Sequence, residues 1–206
     1  MKLVSSRLAG ASTLVEEPSA RYDSASIFLH WTTAALVVVL WLVGEFIDDF
    51  ARGTPRIMAR STHIALGVAL ALVILIRIAW RAGRGRRLPL AVPGILGYAA
   101  RVVHYGLYVL IVATIALGLV NVWVRGDSIF GLFSVPRLAP GNGDLKETIE
   151  ELHEWFANTV LIVAALHVAA ALFHRYVLRD EVLRRMLRER PSVLTMRTLR
   201  ARLAEA

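Results

Sequence analysis

Apolar positions in this chain gather into four long blocks with few charges inside them, near Ile27–Ile47, His63–Trp80, Val102–Val124 and Glu154–Tyr176. A helix crosses a hydrocarbon core of about 30 Å with roughly 20 residues, so each block predicts one membrane span. The second block is the shortest, and Arg77 near its end can extend its guanidinium toward the headgroups. Most of Trp31, Trp41, Trp80, Trp123 and Trp155 fall near block ends, as an interfacial aromatic belt requires. Short connections between the spans predict an all-α, antiparallel four-helix bundle integral to the membrane.

The polar stretches set the orientation. Between spans two and three lie Arg81, Arg84, Arg86, Arg87 and Arg101 with no acidic residue, and the stretch after His174 is again rich in arginine. Lys and Arg accumulate on the cytoplasmic side, which predicts that both the N- and C-termini are cytoplasmic. Residues 1–24 hold no apolar run long enough for a signal-peptide core and read as a poorly ordered cytoplasmic extension. Residues 25–177 form the transmembrane unit. In residues 178–206 arginines alternate with Val182, Leu183, Met186 and Leu187, predicting a basic amphipathic helix on the inner leaflet. The stretch from Arg125 to Glu151, rich in Gly and Pro, is expected to be a long outer loop.

Composition narrows the chemistry. The chain has 206 residues, 56% of them hydrophobic, a mean hydropathy of +0.56 and a formal charge of +8. A soluble domain rarely combines these values, so membrane lipid is an expected partner and nucleic acid is not. The absence of cysteine excludes disulfides, thiolate metal sites, iron–sulfur clusters and covalent c-type haem attachment.

Histidine placement points to a cofactor. His153 and His167 stand fourteen residues apart, which brings both rings to within about 40° of one helix face and about 21 Å apart along it. Counting through the alternating spans puts His63 and His153 near the outer surface and His30, His104 and His167 near the inner one. Fourteen residues on from His30, His63 and His104 are Gly44, Arg77 and Gly118. The outer level therefore offers two histidines and two glycines, enough axial ligands and enough room for a flat macrocycle. The inner level holds three histidines and Arg77. Imidazole pairs on two levels suit two non-covalent haem b groups, and bis-histidine iron favours electron transfer over oxygen chemistry. Arg77 or Arg81 on the inside and Arg60 or Arg125 on the outside are candidates to meet haem propionates.

These features resemble the prokaryotic cytochrome b561 family and, more distantly, the di-haem cytochrome b subunits of membrane-bound formate dehydrogenases and nickel–iron hydrogenases. The resemblance runs from about Tyr22 to Arg190. It is carried by His30-Trp31 in span one, His63 with Arg77 in span two, Leu152-His153-Glu154 through His167, and His174-Arg175-Tyr176. It implies a multi-pass protein of the bacterial inner membrane that moves electrons from an outer donor to ubiquinone or menaquinone. It also implies that His63 and His153 hold the outer haem iron and His30 and His167 the inner one. From depth alone, His30–His104 and His104–His167 are equally open.

In that family the best-defined activity is oxidation of superoxide with quinone as acceptor. Here the outer connection carries Asp127, Asp144, Glu147, Glu150 and Glu151 against Arg125, Arg137 and Lys146, an unfavourable balance for attracting an anion. His174, on the His167 stripe, and the surplus His104 are candidates to border a quinone pocket and supply a proton. Two other functions fit the same spans. One is a membrane subunit wired to a peripheral redox protein, and the other is a haem-free proton-relay transporter, which predicts a colourless protein.

Overall fold

The computed structural model describes residues 21–86, 88–89, 92–138 and 140–187. Among them, four helices are long and apolar enough to cross a membrane: α1 (Ser24–Glu45), α2 (Thr54–Gly83), α3 (Gly94–Arg125) and α4 (Gly143–Phe173). The predicted spans are all present, and every helix begins before its apolar window. α2 has 30 residues, about 45 Å of helix, so it stands well clear of a hydrocarbon core of about 30 Å. Consequently His63, His104 and His153 lie about two and a half turns inside their helices rather than at the first turn.

Local chemistry sets the boundaries. The Asp23 carboxylate caps α1 by accepting the Ser26 N–H at 2.9 Å, and Asn142 caps α4 by accepting the Leu145 N–H at 3.0 Å. Pro55 fits the first turn of α2, where its missing N–H costs nothing. α3 stops at Gly126, whose φ of 68° belongs to the left-handed region that closes helices.

α1 packs chiefly on α2 and α3 on α4, giving two hairpins that meet more sparsely along the α2–α3 and α1–α4 seams. The core lies at mid-height, where Leu40, Leu70, Ile74, Ile111 and Val160 are buried against Leu36, Val37, Leu66, Leu110 and Ile115. Val37, Leu70, Ile111 and Val160 fall midway between the two histidine levels on their own helices. Two turns of aliphatic packing thus separate the levels. The Trp41 indole crosses the α1–α4 seam, donating to Asn158 Oδ1 at 2.8 Å. Large apolar side chains such as Leu75, Val109, Ile162 and Leu166 point outward, as lipid contact demands.

The outer connection departs from the expected loop. α4 already begins at Gly143, and an antiparallel hairpin of β1 (Ser128–Ile129) and β2 (Phe133–Ser134) fills part of the remainder. The acidic run Asp144–Glu151 is amphipathic rather than apolar, so hydropathy conceals its helical character. Ser61, fully buried, ties this hairpin to α2: its hydroxyl donates to Ser128 O at 3.1 Å and accepts the Phe130 N–H at 2.8 Å.

At the opposite end, Asp23 also accepts the Trp80 indole at 2.9 Å and the Arg86 N–H at 3.1 Å, clipping the start of α1 to the end of α2. Burial raises this carboxyl, but hydrogen bonds from Ser26, Arg86 and Trp80 outweigh it and hold the group well below the usual aspartate range. Where an amphipathic helix is expected after residue 178, residues 179–187 instead form a reversal and a single 3-10 turn, Leu183–Met186. This turn returns to α1, with the Tyr22 N–H donating to Arg185 O at 3.2 Å and the Trp31 indole to Met186 O at 3.0 Å. The rest of the expected tail, 188–206, and residues 1–20 of the expected extension lie outside the described residues.

Candidate functional site: two levels of histidines

At the level that the sequence assigns to the outer side, α2 and α4 bring the His63 and His153 rings to 6.2 Å between centres. At the inner level, α1 and α4 bring His30 and His167 to 6.4 Å, while His104 on α3 lies 4.9 Å from His167. The structure therefore gathers the five histidines into the two sets that depth counting predicts. A metal–imidazole bond of about 2.0 Å, with about 1.1 Å from nitrogen to ring centre, puts trans rings about 6.2 Å apart. The His63–His153 and His30–His167 spacings match that value. The His104–His167 spacing is too short for an iron between the rings.

The outer set is built around two glycines. A Cβ on Gly44 would meet His63 Cε1 at 3.2 Å, and one on Gly118 would meet His153 Cε1 at 3.0 Å. Each imidazole thus leans directly on the backbone of the neighbouring helix. His153 Nδ1 donates to Thr114 O at 3.1 Å; a carbonyl only accepts, so the proton sits on Nδ1 and Nε2 keeps its lone pair for a metal. His63 Nδ1 is buried without a hydrogen-bond partner, a cost that a ligand at the ring would help to offset. Gly67, one turn after His63, faces open space.

At the inner level, Arg77 is the neighbour that the fourteen-residue register predicts. Its Nη2 donates to His30 Nδ1 at 3.0 Å and its guanidinium lies 5.2 Å from the Tyr108 ring centre. Guanidinium cannot accept, so His30 Nδ1 is the acceptor and the ring proton rests on Nε2. His104 is more exposed and donates from Nδ1 to its own helix at Ala100 O, 2.6 Å away. His174 lies beyond this level at the end of α4, hydrogen-bonded to Asp180 at 2.5 Å.

Ionic contacts above the outer level join the α2, α3 and α4 ends. Asp127 lies 3.7 Å from Arg60 and 3.4 Å from Arg125, which also pairs with Glu150. Burial raises the Asp127 carboxyl, and both arginines pull against it. Beside this network is a cavity of about 470 Å³ lined by Arg60, Arg125, Arg137 and Lys146, with Asp127 as its one acidic wall residue. Asp144, Glu147 and Glu151 sit on α4 outside the lining, and Glu150, also outside it, pairs with Arg125 and Lys146. The lining itself carries four basic side chains and one acidic one, a distribution that counts over the whole connection do not show.

At the outer level the His63–His153 spacing and the facing glycines occur together, as a planar group held from both sides requires, while at the inner level the His30–His167 spacing alone matches. Tyr108, the Thr114 carbonyl, the Trp41–Asn158 bridge and Asp180 carry no signal in the residue pattern. The first three follow hairpin packing, and Asp180 is placed by a break in helical period.

Comparison with known proteins identifies the family. A family profile described as prokaryotic cytochrome b561 matches residues 21–189. A probable superoxide oxidase CybB of Yersinia pestis is 32% identical over 171 residues, covering 81% of this chain and 96% of that protein. Cytochrome b561 homolog 1 of Escherichia coli K12 is 29% identical over 175 residues, covering 82% and 98%. Cytochrome b562 of Cereibacter sphaeroides is 30% identical over 186 residues, covering 86% and 100%. With four membrane-spanning helices, histidines in two facing sets and a profile match along nearly all the described residues, this chain belongs to the prokaryotic cytochrome b561 family, the membrane cytochromes b.

Proposed function

We propose that this protein is a di-haem cytochrome that carries electrons from an anionic donor at its outer face, superoxide foremost, to a membrane quinone near its inner face. The observation that carries the reading is the pair of ring spacings, 6.2 and 6.4 Å, on two levels divided by aliphatic packing. His63 and His153 hold the outer haem b, and His30 and His167 the inner one. When bound, the two groups supply one-electron redox couples at two depths of the bilayer.

The chain's own residues supply the rest. Thr114 O fixes the His153 tautomer, Gly44 and Gly118 admit the rings, and the mid-height core keeps water from connecting the two faces. Arg77, beside His30, would supply positive charge to an inner propionate. Arg137 and Lys146 draw small anions to the outer cavity. His104 and His174 border the quinone. The arginine-rich α2–α3 connection and the 178–187 segment face the cytoplasm, so both termini are inside.

A reduced-minus-oxidised visible spectrum of the purified chain, with the haem-to-protein ratio, tests the reading directly. Two b-type haems per chain are expected, with bleaching of the reduced bands by ubiquinone-1 and their recovery on a superoxide pulse. A colourless protein from haem-replete cells would sink the reading and favour a proton relay. Reduction only after a peripheral protein is added would replace superoxide with a protein donor.

A further inference from the structure

The last turn of α4 widens at His174–Leu178 into a π-type turn, with the Arg179 N–H reaching back five residues to His174 O. Single π turns re-aim the side chains around them and concentrate at working sites. Arg179 then adopts φ 54°, a left-handed conformation that a residue with a Cβ disfavours. The reversal brings the Asp180 N–H to 3.2 Å from His174 O as well. In an unbroken helix, residues 174 and 180 would lie about 240° apart around the axis and about 9 Å along it. Here Asp180 Oδ2 is 2.5 Å from His174 Nδ1, and Oδ1 accepts the Val182 N–H at 3.1 Å.

Two consequences follow from this contact. An ionised carboxylate only accepts, so the shared proton belongs to Nδ1 and Nε2 is the ring nitrogen that this contact leaves free. The pair also straddles the boundary, with side chains 18% and 27% exposed for His174 and Asp180. Burial raises the Asp180 carboxyl, but the hydrogen bonds from His174 and Val182, together with the charges of His174 and Arg185, hold it below the usual range. Asp180 therefore stays ionised at neutral pH.

We infer that Asp180 is the positioning residue of a carboxylate–imidazole proton relay, orienting His174 so that Nε2 delivers protons to a quinone oxygen. The inference rests on the quinone reading above. Conversion of quinone to quinol takes up two electrons, which the proposed electron path supplies, and two protons. Charged His174 gives one proton as its Nε2–H bond breaks and a quinone O–H bond forms. The neutral ring is recharged at Nε2 by a proton from the aqueous side, and a second cycle serves the other oxygen. Asp180 balances the imidazolium charge and keeps the tautomer fixed throughout.

The test uses full-length, haem-loaded protein, reduced and then mixed with ubiquinone-1 between pH 5.5 and 8.5, with haem reoxidation followed optically. Asp180→Asn is expected to slow reoxidation about tenfold or more, because the imidazole loses the carboxylate that orients it. Asp180→Glu should recover most of the lost rate. Nitrogen-15 NMR should show the His174 proton on Nδ1 in the unaltered chain and a mixed tautomer in Asp180→Asn. Asp180→Asn matching the unaltered chain in rate, while the latter reduces quinone normally, overturns the relay. So does Asp180→Glu being as slow as Asp180→Asn with disturbed haem spectra, since that marks a purely structural contact. If reduced protein of unaltered sequence is inert to quinone, the quinone reading itself falls and the relay with it.

Discussion

Gly118 lies so close to His153 that a Cβ in its place would come within 3.0 Å of the imidazole Cε1. Helix α3 thus reserves, by lacking a side chain, the volume into which the ring of α4 leans. His63 has the same relation to Gly44 at 3.2 Å. Gly118→Val is therefore expected to push His153 off its position and to cut the haem content from two per chain to one, with the inner haem retained. Gly44→Ala, with less overlap and one methyl, should lower outer occupancy only partly. A pyridine haemochrome assay against protein mass reads both, and full loading of the valine variant would contradict the ligand geometry.

The three inner histidines give a second expectation. His104 lies 4.9 Å from His167, whereas His30 lies 6.4 Å from it, and only the wider gap has room for iron and its two bonds. His30→Ala should abolish inner haem binding, while His104→Ala keeps both haems and slows quinone reduction several-fold. Loss of a haem in His104→Ala, with two retained in His30→Ala, would exchange their roles.

The sequence carries this much of the site because a helix converts spacing into geometry. A fourteen-residue interval repeats on all four helices, so residue numbers alone assign the glycines, the histidines and Arg77 to levels. Depth, however, says nothing about azimuth. Which of His30 and His104 faces His167 across the wider gap depends on hairpin packing. Residue counts also hide where charge sits: Arg137 folds back onto Gly126 to line the outer cavity, while Asp144 and Glu147, near the start of α4, are not among its lining residues. The Asp180–His174 contact is hidden for another reason, since it exists only because α4 abandons its regular period.

Arg77 combines a fixed positive charge with a contact to a proposed ligand, His30, at 3.0 Å. Positive charge beside a redox centre favours its reduced form, so Arg77→Gln should lower the inner haem potential by tens of millivolts, about 59 mV marking a tenfold change in a one-electron equilibrium. Arg77→Lys should fall between, keeping the charge without the stacking on Tyr108. Redox titration of each variant at neutral pH measures the shift, and an unchanged potential in Arg77→Gln would separate this residue from the inner cofactor.

Asp23 couples the start of α1 to Trp80 and Arg86, and its replacement by Ala should cost about 1–2 kcal/mol through loss of both cap and clip. The folded carboxyl lies below its ordinary value of 3.8. Its stabilisation is therefore complete above the unfolded value and is lost as pH falls through the depressed folded one. The difference in thermal midpoint between the unaltered chain and Asp23→Asn should stay flat from pH 8 to 5 and shrink only below about 4. A difference that already fades near pH 6 would show that this carboxylate does not control the clip.

The outer cavity tests the donor. Four basic side chains and a single acidic one line it, and a field of that sign accelerates capture of small anions while leaving neutral donors unaffected. Arg60 and Arg125 pair with Asp127, whereas Lys146, 49% exposed, lies 3.9 Å from Glu150, and Arg137, exposed on the loop, donates to the Arg125 carbonyl, so neither contacts Asp127. Reversing the charge at Arg137 and Lys146 should therefore weaken attraction without dismantling the Asp127 network. For superoxide the second-order rate of haem reduction should drop about tenfold in Arg137→Glu/Lys146→Glu at low salt. That gap should narrow as ionic strength approaches 1 M, where the screening length is about 3 Å. Reduction by an uncharged quinol serves as the control and should be the same in both proteins at every salt concentration. A rate for superoxide that ignores both the charge reversal and salt would mean that the donor reaches the outer haem by another route.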